Sequence, residues 1–137
     1  MEKIDRAAMG RRSRRLGAQF ELDVRRDMTS KGWVVAKWQN NIDLQTNEII
    51  QSHSNRFNSR SCGFPDFIMF RQNKNAYCYE LKFVECKTNN KLSKEEKIKL
   101  EVLRKLGHSC YVAFKDGKEI KYREFMEYKE RDSVCRK

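Results

Sequence analysis

Two carboxylates and a lysine on consecutive apolar segments have the residue types and the spacing of a hydrolytic metal site. Asp66 opens the apolar run 67–70, and Glu85 with Lys87 lies in the next apolar segment, nineteen residues after the aspartate. Two carboxylates can hold a hard cation such as Mg²⁺ through oxygen ligands. A lysine on the same strand face can reach an attacking water or a phosphate oxygen. This arrangement predicts metal-assisted hydrolysis, and hydrolysis of a phosphodiester by water needs no further cofactor.

The charge of the chain indicates the substrate class. Thirty Lys and Arg residues against nineteen Asp and Glu residues give a net charge of +11 and a pI near 9.6. Such an excess favours a polyanion as partner, because phosphates contacted by basic side chains release their condensed counterions. Combined with a hydrolytic site, the charge predicts cleavage of nucleic acid.

A basic cluster near the N-terminus is the first candidate for phosphate contacts. It consists of Arg6, Arg11, Arg12, Arg14 and Arg15. We interpret residues 1–15 as a basic arm in front of the first helix, since arginine suits bidentate contact with phosphate. Three further candidates for DNA contacts lie around the long polar stretch 39–63: Lys37, Arg56 and Arg60. An ordinary solvated loop surface is an equal alternative for these three.

Composition places the chain, residues 1–137, among globular proteins of one domain. Its 137 residues can build a modest core, and 39% hydrophobic with 36% charged residues is typical of a polar-surfaced globular fold. No apolar run reaches membrane-spanning length, so we expect no membrane partner. The five cysteines have no Cys-x-x-Cys spacing and predict free thiols, which fits a reducing cytoplasm, of a cell or of a virus-infected host.

Two amphipathic helices are predicted from the hydrophobic periodicity. The first runs from Ser13 to Lys31, with an apolar residue at every fourth position: Leu16, Phe20, Val24 and Met28. The second starts at a capping box formed by Ser93 and Glu96 and ends at Gly107. Its apolar face is predicted to hold Ile98, Val102, Leu103 and Leu106.

The strands around these helices set the fold class. They are predicted at 33–38, 66–70, 77–87 and 110–114, with 119–122 pairing back on the last of them. The stretch 39–63 is predicted to be a long insertion loop with a small hairpin at 43–50. The order helix, three strands, helix, strand predicts a mixed α/β fold with a central mixed sheet flanked by helices.

The strand at 77–87 contains two Glu-x-Lys pairs that point to opposite faces. Side chains alternate along a strand, so Glu85 and Lys87 share one face and Glu80 and Lys82 share the other. The face of Glu85 carries an apolar row, as expected where a core-facing strand emerges into a cleft. We therefore favour Glu85 and Lys87 as the site and keep Glu80 and Lys82 as the alternative. Either pair taken alone is most simply a surface ion pair.

The turn between the two strands decides which glutamate faces Asp66. A turn near Asn75 places Asp66 opposite Glu85, whereas a tight turn at Asn73 places it opposite Glu80. The sequence permits both turns.

At these motifs the chain resembles the PD-(D/E)XK nuclease superfamily, in particular Holliday junction resolvases of the archaeal and viral type and the related VRR-NUC nucleases. The likeness rests on four segments: Arg15-Leu16-Gly17-Ala18-Gln19-Phe20-Glu21, Gly63-Phe64-Pro65-Asp66, Val84-Glu85-Cys86-Lys87 and Leu92-Ser93-Lys94-Glu95-Glu96. Four motifs in this order are more specific than any one of them. The resemblance covers about residues 11–114 and implies a restriction-endonuclease-like αβββαβ core.

The resemblance also implies roles for individual residues. Asp66 and Glu85 would be the main ligands of Mg²⁺ or Mn²⁺, and the backbone carbonyl of Cys86 would complete the inner shell. Lys87 would position or polarise the attacking water. Glu21 would reach the metal through water or bind a second ion. Without the resemblance, Glu21 is a solvated helix glutamate that can pair with the arginine four residues on.

The implied activity is that of a metal-dependent, structure-specific endodeoxyribonuclease acting on branched or junction DNA. A homodimer is implied too, because paired nicks in a junction need paired sites. One alternative is a VRR-NUC-type or restriction-like nuclease acting on flaps or duplex DNA. A second alternative is a nucleic-acid-binding module without cleavage, although a pure binder has no need of clustered carboxylates that repel phosphate.

Overall fold

In a computed structural model of the protein, two helices lie against a five-stranded sheet. The structure describes residues 3–51, 63–75 and 77–126. The helices are α1 (Arg6–Ser30) and α2 (Lys94–Lys105). The strands are β1 (Val34–Lys37), β2 (Asn40–Asp43), β3 (Glu48–Gln51), β4 (Phe67–Asn73), β5 (Cys78–Cys86), β6 (Ser109–Asp116) and β7 (Glu119–Glu124).

The central sheet has the strand order β1-β4-β5-β6-β7, and β2 and β3 form a separate two-stranded sheet. Strands β5 and β6 are parallel, and the other neighbouring strands are antiparallel. The parallel pair requires a crossover connection, which α2 provides. The predicted mixed α/β fold, with a central mixed sheet and flanking helices, is confirmed, as is the pairing of the segment after β6 back onto it.

Each face of the central sheet is covered by one helix. On the first face, α1 buries Phe20, Val24 and Met28 against a cluster that includes Val84 of β5. On the second face, α2 buries Leu100 and Leu103 against a cluster whose strand members include Phe83 and Val112. Because neighbouring residues of a strand point to opposite faces, β5 contributes side chains to both clusters.

Helix α1 begins seven residues earlier than predicted. Its N-cap is Asp5, whose side chain accepts hydrogen bonds from the backbone N–H groups of Ala7 and Ala8, each at 3.1 Å. The predicted start at Ser13 is therefore wrong, and the basic segment from Arg6 onward is helical. Periodicity could not indicate this, because the side chains at 11–19 are exposed and carry no apolar stripe facing a core.

The stretch 39–63 contains the predicted hairpin, with wider bounds. Strands β2 and β3 pair antiparallel from Asn40 opposite Gln51 to Asp43 opposite Glu48. Ile42 of β2 is buried in the cluster on the α2 side of the central sheet. The predicted DNA contacts Arg56 and Arg60 fall in 52–62 and lie outside the described residues.

Gly63 allows the chain to return closely past the end of β1. A Cβ atom at this position would lie 2.2 Å from the carbonyl oxygen of Trp38 and 2.6 Å from that of Asn40. The backbone N–H of Phe64 donates to the same Asn40 carbonyl at 2.8 Å. Only glycine permits this approach, which delivers the chain to Asp66 at the start of β4.

None of the helices described is long and apolar enough to cross a membrane. Three of the cysteines fall within the described ranges, Cys78, Cys86 and Cys110, and all three are free thiols as predicted. Cys62 and Cys135 lie outside the described residues.

Candidate active site

The register of β4 and β5 brings Asp66 and Glu85 together. Phe67 pairs with Val84 and Asn73 with Cys78, so the position before Phe67 faces Glu85. The backbone N–H of Asp66 donates to Oε2 of Glu85 at 3.1 Å. In return, the backbone N–H of Cys86 donates to Oδ2 of Asp66 at 2.8 Å. The turn lies at residues 74–75, as the alternative with Asp66 opposite Glu85 requires.

The competing glutamate lies far along the strand from Asp66. Glu80 is the register partner of Arg71, and its Oε2 lies 3.1 Å from the Arg71 guanidinium. Its side chain is 46% exposed, whereas Glu85 is only 6% exposed. The strand therefore has one exposed ion pair near its start and one buried carboxylate near its end.

Burial raises the pKa of both carboxylates. Burial raises the pKa of Asp66 to about 6; the hydrogen bond from Cys86 opposes this shift, and the charge of Glu21 adds to it. Burial also raises the pKa of Glu85 well above its usual value, and the charges of Asp66 and Glu96 raise it further. A cation between two such carboxylates removes both the repulsion and part of the cost of burial.

Lys87 is held at the edge of this pair by the start of α2. Its backbone N–H donates to the carbonyl of Ala113 at 2.8 Å, and its Nζ lies 2.6 Å from Oε2 of Glu96. Burial lowers the pKa of Lys87, but the hydrogen bond and charge of Glu96 and the charges of Glu85 and Asp66 outweigh it and raise the pKa. Lys87 is therefore a charged ammonium at neutral pH.

Glu96 has two partners at once. Its Oε1 accepts the backbone N–H of Ser93 at 2.9 Å, and Oγ of Ser93 accepts the backbone N–H of Glu96 at 3.1 Å. This is the predicted capping box, and it is confirmed. The second oxygen of Glu96 holds Lys87. The sequence predicts Glu96 only as a member of the capping box and leaves a helper role in the site unsupported; the structure places its side chain against Lys87.

Glu21 and Lys37 lie on the α1 side of Asp66. Oε2 of Glu21 is 3.1 Å from Nζ of Lys37, so Glu21 pairs with β1 rather than with the arginine four residues on. Lys37 is the register partner of Phe67, directly beside Asp66. The charge of Glu21 raises the pKa of Asp66 and that of Lys37 lowers it. The structure thus brings Glu21 to the site and adds Lys37, a predicted DNA contact, next to Asp66.

A shallow cleft of about 210 Å³ opens between α1 and the ends of β1 and β4. It is lined by Ala18, Glu21, Leu22, Arg25, Lys37 and Phe67. The cleft thus contains the ion pair of Glu21 and Lys37 and reaches Phe67, the residue after Asp66.

The donor set suits a hard cation, although it is small. In the ranges 3–51, 63–75 and 77–126, no group of three or more His, Cys, Asp or Glu side chains is clustered as a metal site. Asp66 and Glu85 each accept a backbone N–H with one carboxylate oxygen, which leaves the second oxygen of each for a metal ion. Two carboxylate oxygens with a backbone carbonyl and water form an all-oxygen set of the kind Mg²⁺ or Mn²⁺ prefers.

The basic cluster lies on the same helix as Glu21 but outside the cleft. The arginines at 11, 12, 14 and 15 are all exposed on the N-terminal half of α1. Arg15 precedes Glu21 by six residues, which is about 9 Å along a helix axis. Arg15 therefore lies within about two helical turns of Glu21.

The fold and the site define a class: a mixed α/β protein with two acidic residues and a lysine at the ends of two neighbouring central strands. The VRR-NUC domain model matches residues 24–114 of the chain. The protein therefore belongs to the VRR-NUC domain family, a PD-(D/E)XK-like family of nuclease domains. No curated protein and no solved structure matches the chain. The matched residues include Asp66, Glu85 and Lys87 and leave out Glu21 and the arginines at 11–15.

Proposed function

We propose that this VRR-NUC nuclease is a metal-dependent, structure-specific endodeoxyribonuclease that cuts branched DNA, with four-way junctions as its preferred substrate. The observation that carries the proposal is the buried pair of Asp66 and Glu85, joined by reciprocal hydrogen bonds from the backbone. Burying two like charges side by side is costly unless a cation joins them. The net charge of +11 supports a polyanionic substrate.

The metal ligands are Asp66 and Glu85, with the backbone carbonyl of Cys86 and, through water, Glu21. When bound, Mg²⁺ or Mn²⁺ lowers the pKa of a coordinated water and neutralises charge that develops on the scissile phosphate. The backbone N–H groups of Asp66 and Cys86 fix the carboxylates in place before a metal arrives. The site is therefore largely formed in advance, which reduces the cost of binding.

Lys87 supplies a positive charge beside the carboxylates, where an attacking water or a phosphate oxygen lies. Its ammonium has three donors, of which Glu96 occupies one. The other donors orient the water and stabilise the negative charge on the phosphate in the transition state. Glu96 keeps the ammonium charged and in place.

The DNA approaches along the N-terminal half of α1. The exposed arginines at 11, 12, 14 and 15 contact phosphates, and Lys37 contacts the strand beside the scissile phosphate. A junction needs two coordinated nicks, so the active form is a homodimer with two sites.

A cleavage assay on four DNA substrates of matched sequence tests this function. The substrates are a four-way junction, a flap, a linear duplex and a single strand, each with Mg²⁺, Mn²⁺ or EDTA. We expect cleavage with either metal, none with EDTA, and the highest rate on the junction. Preferential cleavage of the flap or duplex would contradict the junction preference and leave the nuclease assignment standing. Cleavage in EDTA would overturn the metal mechanism.

A further inference from the structure

A second cleft, away from the candidate active site, combines aromatic rings with basic side chains. It has a volume of about 490 Å³ and lies on the α1 face of the sheet, at the end where β4 finishes and β5 and β6 begin. Its aromatic, charged and hydroxyl-bearing lining residues are Trp33, Arg71, Glu80, Lys82, Ser109 and Tyr111, and we call this cleft the Lys82 pocket. Lys82 precedes Cys86 by four residues, which is about 13 Å along a strand.

The strand register explains why these side chains meet. Lys82 is the register partner of Ser109 in β6, and Val84 that of Tyr111, so the side chains of Lys82, Ser109 and Tyr111 share one face. Arg71 of β4 points to the same face as the buried Met69. Helix α1 covers this face of the sheet further along the strands, but the helix ends at Ser30 and does not cover the pocket.

The ammonium of Lys82 sits between two rings. Its Nζ lies 4.2 Å from the centre of the Trp33 ring and 4.5 Å from that of Tyr111. The guanidinium of Arg71 lies 4.5 Å from the Trp33 ring. Trp33 is only 8% exposed and belongs to the core cluster on the α1 face. Both rings are therefore already in contact with cations.

The pocket contains two cations, Arg71 and Lys82, and one carboxylate, Glu80. Glu80 is paired with Arg71 at 3.1 Å. Within the described residues, Lys82 has no ion pair, although it is half-buried. Burial and then the charge of Arg71 lower the pKa of Lys82, with Lys31 adding to this and Glu80 opposing it. Placing an anion beside Lys82 would reverse the shift.

The hydrogen-bonding groups match one kind of anion. The pocket offers an ammonium, a guanidinium with spare N–H groups, and the hydroxyls of Ser109 and Tyr111. Burial, with the charges of Glu124 and Glu80, raises the pKa of Tyr111, so its phenol keeps the proton and can donate. Several donors that line one cleft, two of them positively charged, suit the three or four oxygens of a phosphate group.

We infer that the Lys82 pocket is a phosphate-binding site, separate from the site of hydrolysis. The phosphate can belong to the backbone of a bound nucleic-acid strand or to a small phosphate compound. None of the pocket residues belongs to the candidate metal site. The inference therefore stands or falls independently of the proposed function.

A titration followed by ¹H–¹⁵N NMR in the presence of EDTA tests the inference. The probes are inorganic phosphate, thymidine monophosphate and a short oligothymidylate with hydroxyl groups at both ends. We expect saturable shifts of the amides of Ser109 and Tyr111. Shifts with the oligonucleotide would assign the pocket to backbone phosphate. Shifts only with the two small probes would assign it to free phosphate compounds.

Three variants show whether Lys82 carries the binding. Lys82→Met should weaken binding of the responding probe roughly tenfold or more, because it removes a charged donor, and Lys82→Arg should retain binding. The matched control is Lys121→Met, which removes one positive charge from an exposed ion pair on β7. No amide shift in the wild-type protein with any probe would overturn the inference, whatever the stability of the variants. Equal affinity in a folded Lys82→Met variant would do the same and leave Lys82 only a packing role against Trp33.

Discussion

Asp66 and Glu85 hold each other in place through the backbone. Glu85 accepts a hydrogen bond from the backbone N–H of Asp66, and Asp66 accepts one from the backbone N–H of Cys86, the residue after Glu85. Hydrogen bonds from backbone N–H groups favour the charged form of a carboxylate, whereas burial and mutual repulsion disfavour it. In both residues burial is the largest influence, and the pKa rises. The site is therefore short of positive charge, which the proposed divalent cation would supply.

We expect Glu96, the partner of Lys87, to affect kcat for DNA cleavage. Replacing Glu96 with Gln retains an oxygen to accept the Ser93 N–H but removes the negative charge that holds Lys87. We predict that kcat for DNA cleavage falls about tenfold or more, with little change in KM, since supporting groups of metal sites commonly have effects of this size. Single-turnover and steady-state kinetics measure this.

The control for that change is Glu95→Gln, one residue earlier in α2. Glu95 is 64% exposed and pairs with Lys99 at 3.2 Å, so its replacement removes the same charge from the same helical turn. We expect its kcat to equal that of the wild type. An unchanged kcat in Glu96→Gln would show that Lys87 does not need its partner.

At the scale of the elements, α1 combines two tasks in one helix. Its C-terminal half buries Phe20, Val24 and Met28 against the sheet, and its N-terminal half exposes arginines. The ion pair of Glu21 with Lys37 marks the junction between the two halves, beside the cleft. In the proposed function, the helix links the proposed DNA-binding surface to the proposed site of hydrolysis without a flexible connection.

Neutralising the basic half of α1 should weaken DNA binding in a salt-dependent way. We predict that joint replacement of the arginines at 11, 12, 14 and 15 with alanine makes the fall of log affinity with log salt less steep. The magnitude of the slope should decrease by about one per lost phosphate contact. Alanine preserves helix propensity. Fluorescence anisotropy over a salt series measures the slope.

A matched set of four exposed lysines elsewhere serves as the control. These are Lys74, Lys105, Lys118 and Lys121, all replaced with alanine. We expect a smaller change in slope for this set. An equal change of slope in both variants would mean that DNA binding depends on the total charge of the protein and not on the location of the arginines on α1.

Ser93 and Ser13 should contribute differently to the free energy of unfolding. Ser93 caps α2 through its side chain, whereas Ser13, the predicted cap of α1, lies within the helix on an exposed surface. We predict that Ser93→Ala lowers the free energy of unfolding by about 1 kcal/mol. Ser13→Ala should change it by no more than about 0.5 kcal/mol. Urea denaturation compares them, and a similar loss in both would place the start of α1 back at Ser13.

The elements show how far the sequence predicts the structure. The order of helices and strands along the chain and the capping box at Ser93 follow from local patterns. The sequence leaves open whether Asp66 faces Glu85 or Glu80, and the register of β4 and β5 decides for Glu85. The apolar face of α2 does not follow from local patterns: Leu103 is buried as predicted, but Leu100 is buried as well and Leu106 is 56% exposed. Leu106 is the C-cap residue, and the chain turns away at Gly107.

Burial along β5 does not follow the alternation of faces from which Glu85 and Lys87 are favoured, and their role as the site stays a prediction. The sequence suggested an apolar, core-facing row that ends at Glu85 and Lys87, and an opposite face that begins with solvated charges. In the structure the first four residues of β5 are exposed on both faces, and Phe83, Val84 and Glu85 are buried in succession. Burial changes along the strand because helices cover both faces near its end. Only the three-dimensional packing of α1 and α2 determines this.

At the scale of the whole molecule, the candidate site lies where three layers meet. The sheet contributes Asp66 and Glu85, the start of α2 contributes Glu96, and α1 contributes Glu21. A metal ion bound there would join all three layers. Its binding should therefore be visible as stability, without any assay of cleavage.

We predict that Mg²⁺ and Mn²⁺ raise the melting temperature of the wild-type protein. At a metal concentration one hundred times the dissociation constant, the free energy of unfolding rises by about 2.7 kcal/mol. Glu85→Gln should lose this metal-dependent gain while its metal-free stability stays equal or rises, because one of two repelling carboxylates is gone. Differential scanning calorimetry with and without EDTA measures both. An equal metal-dependent gain in Glu85→Gln would place the ion elsewhere.

The most direct test of the account compares two glutamates on one strand. Glu85→Gln and Glu80→Gln each remove one negative charge from β5, one at the buried site and one from the exposed pair with Arg71. Cleavage of the same branched DNA is measured with Mg²⁺ for both variants and the wild type. The account predicts cleavage by the wild type and Glu80→Gln, and none by a folded Glu85→Gln variant that still binds DNA. Cleavage by Glu85→Gln together with an inactive Glu80→Gln would contradict it.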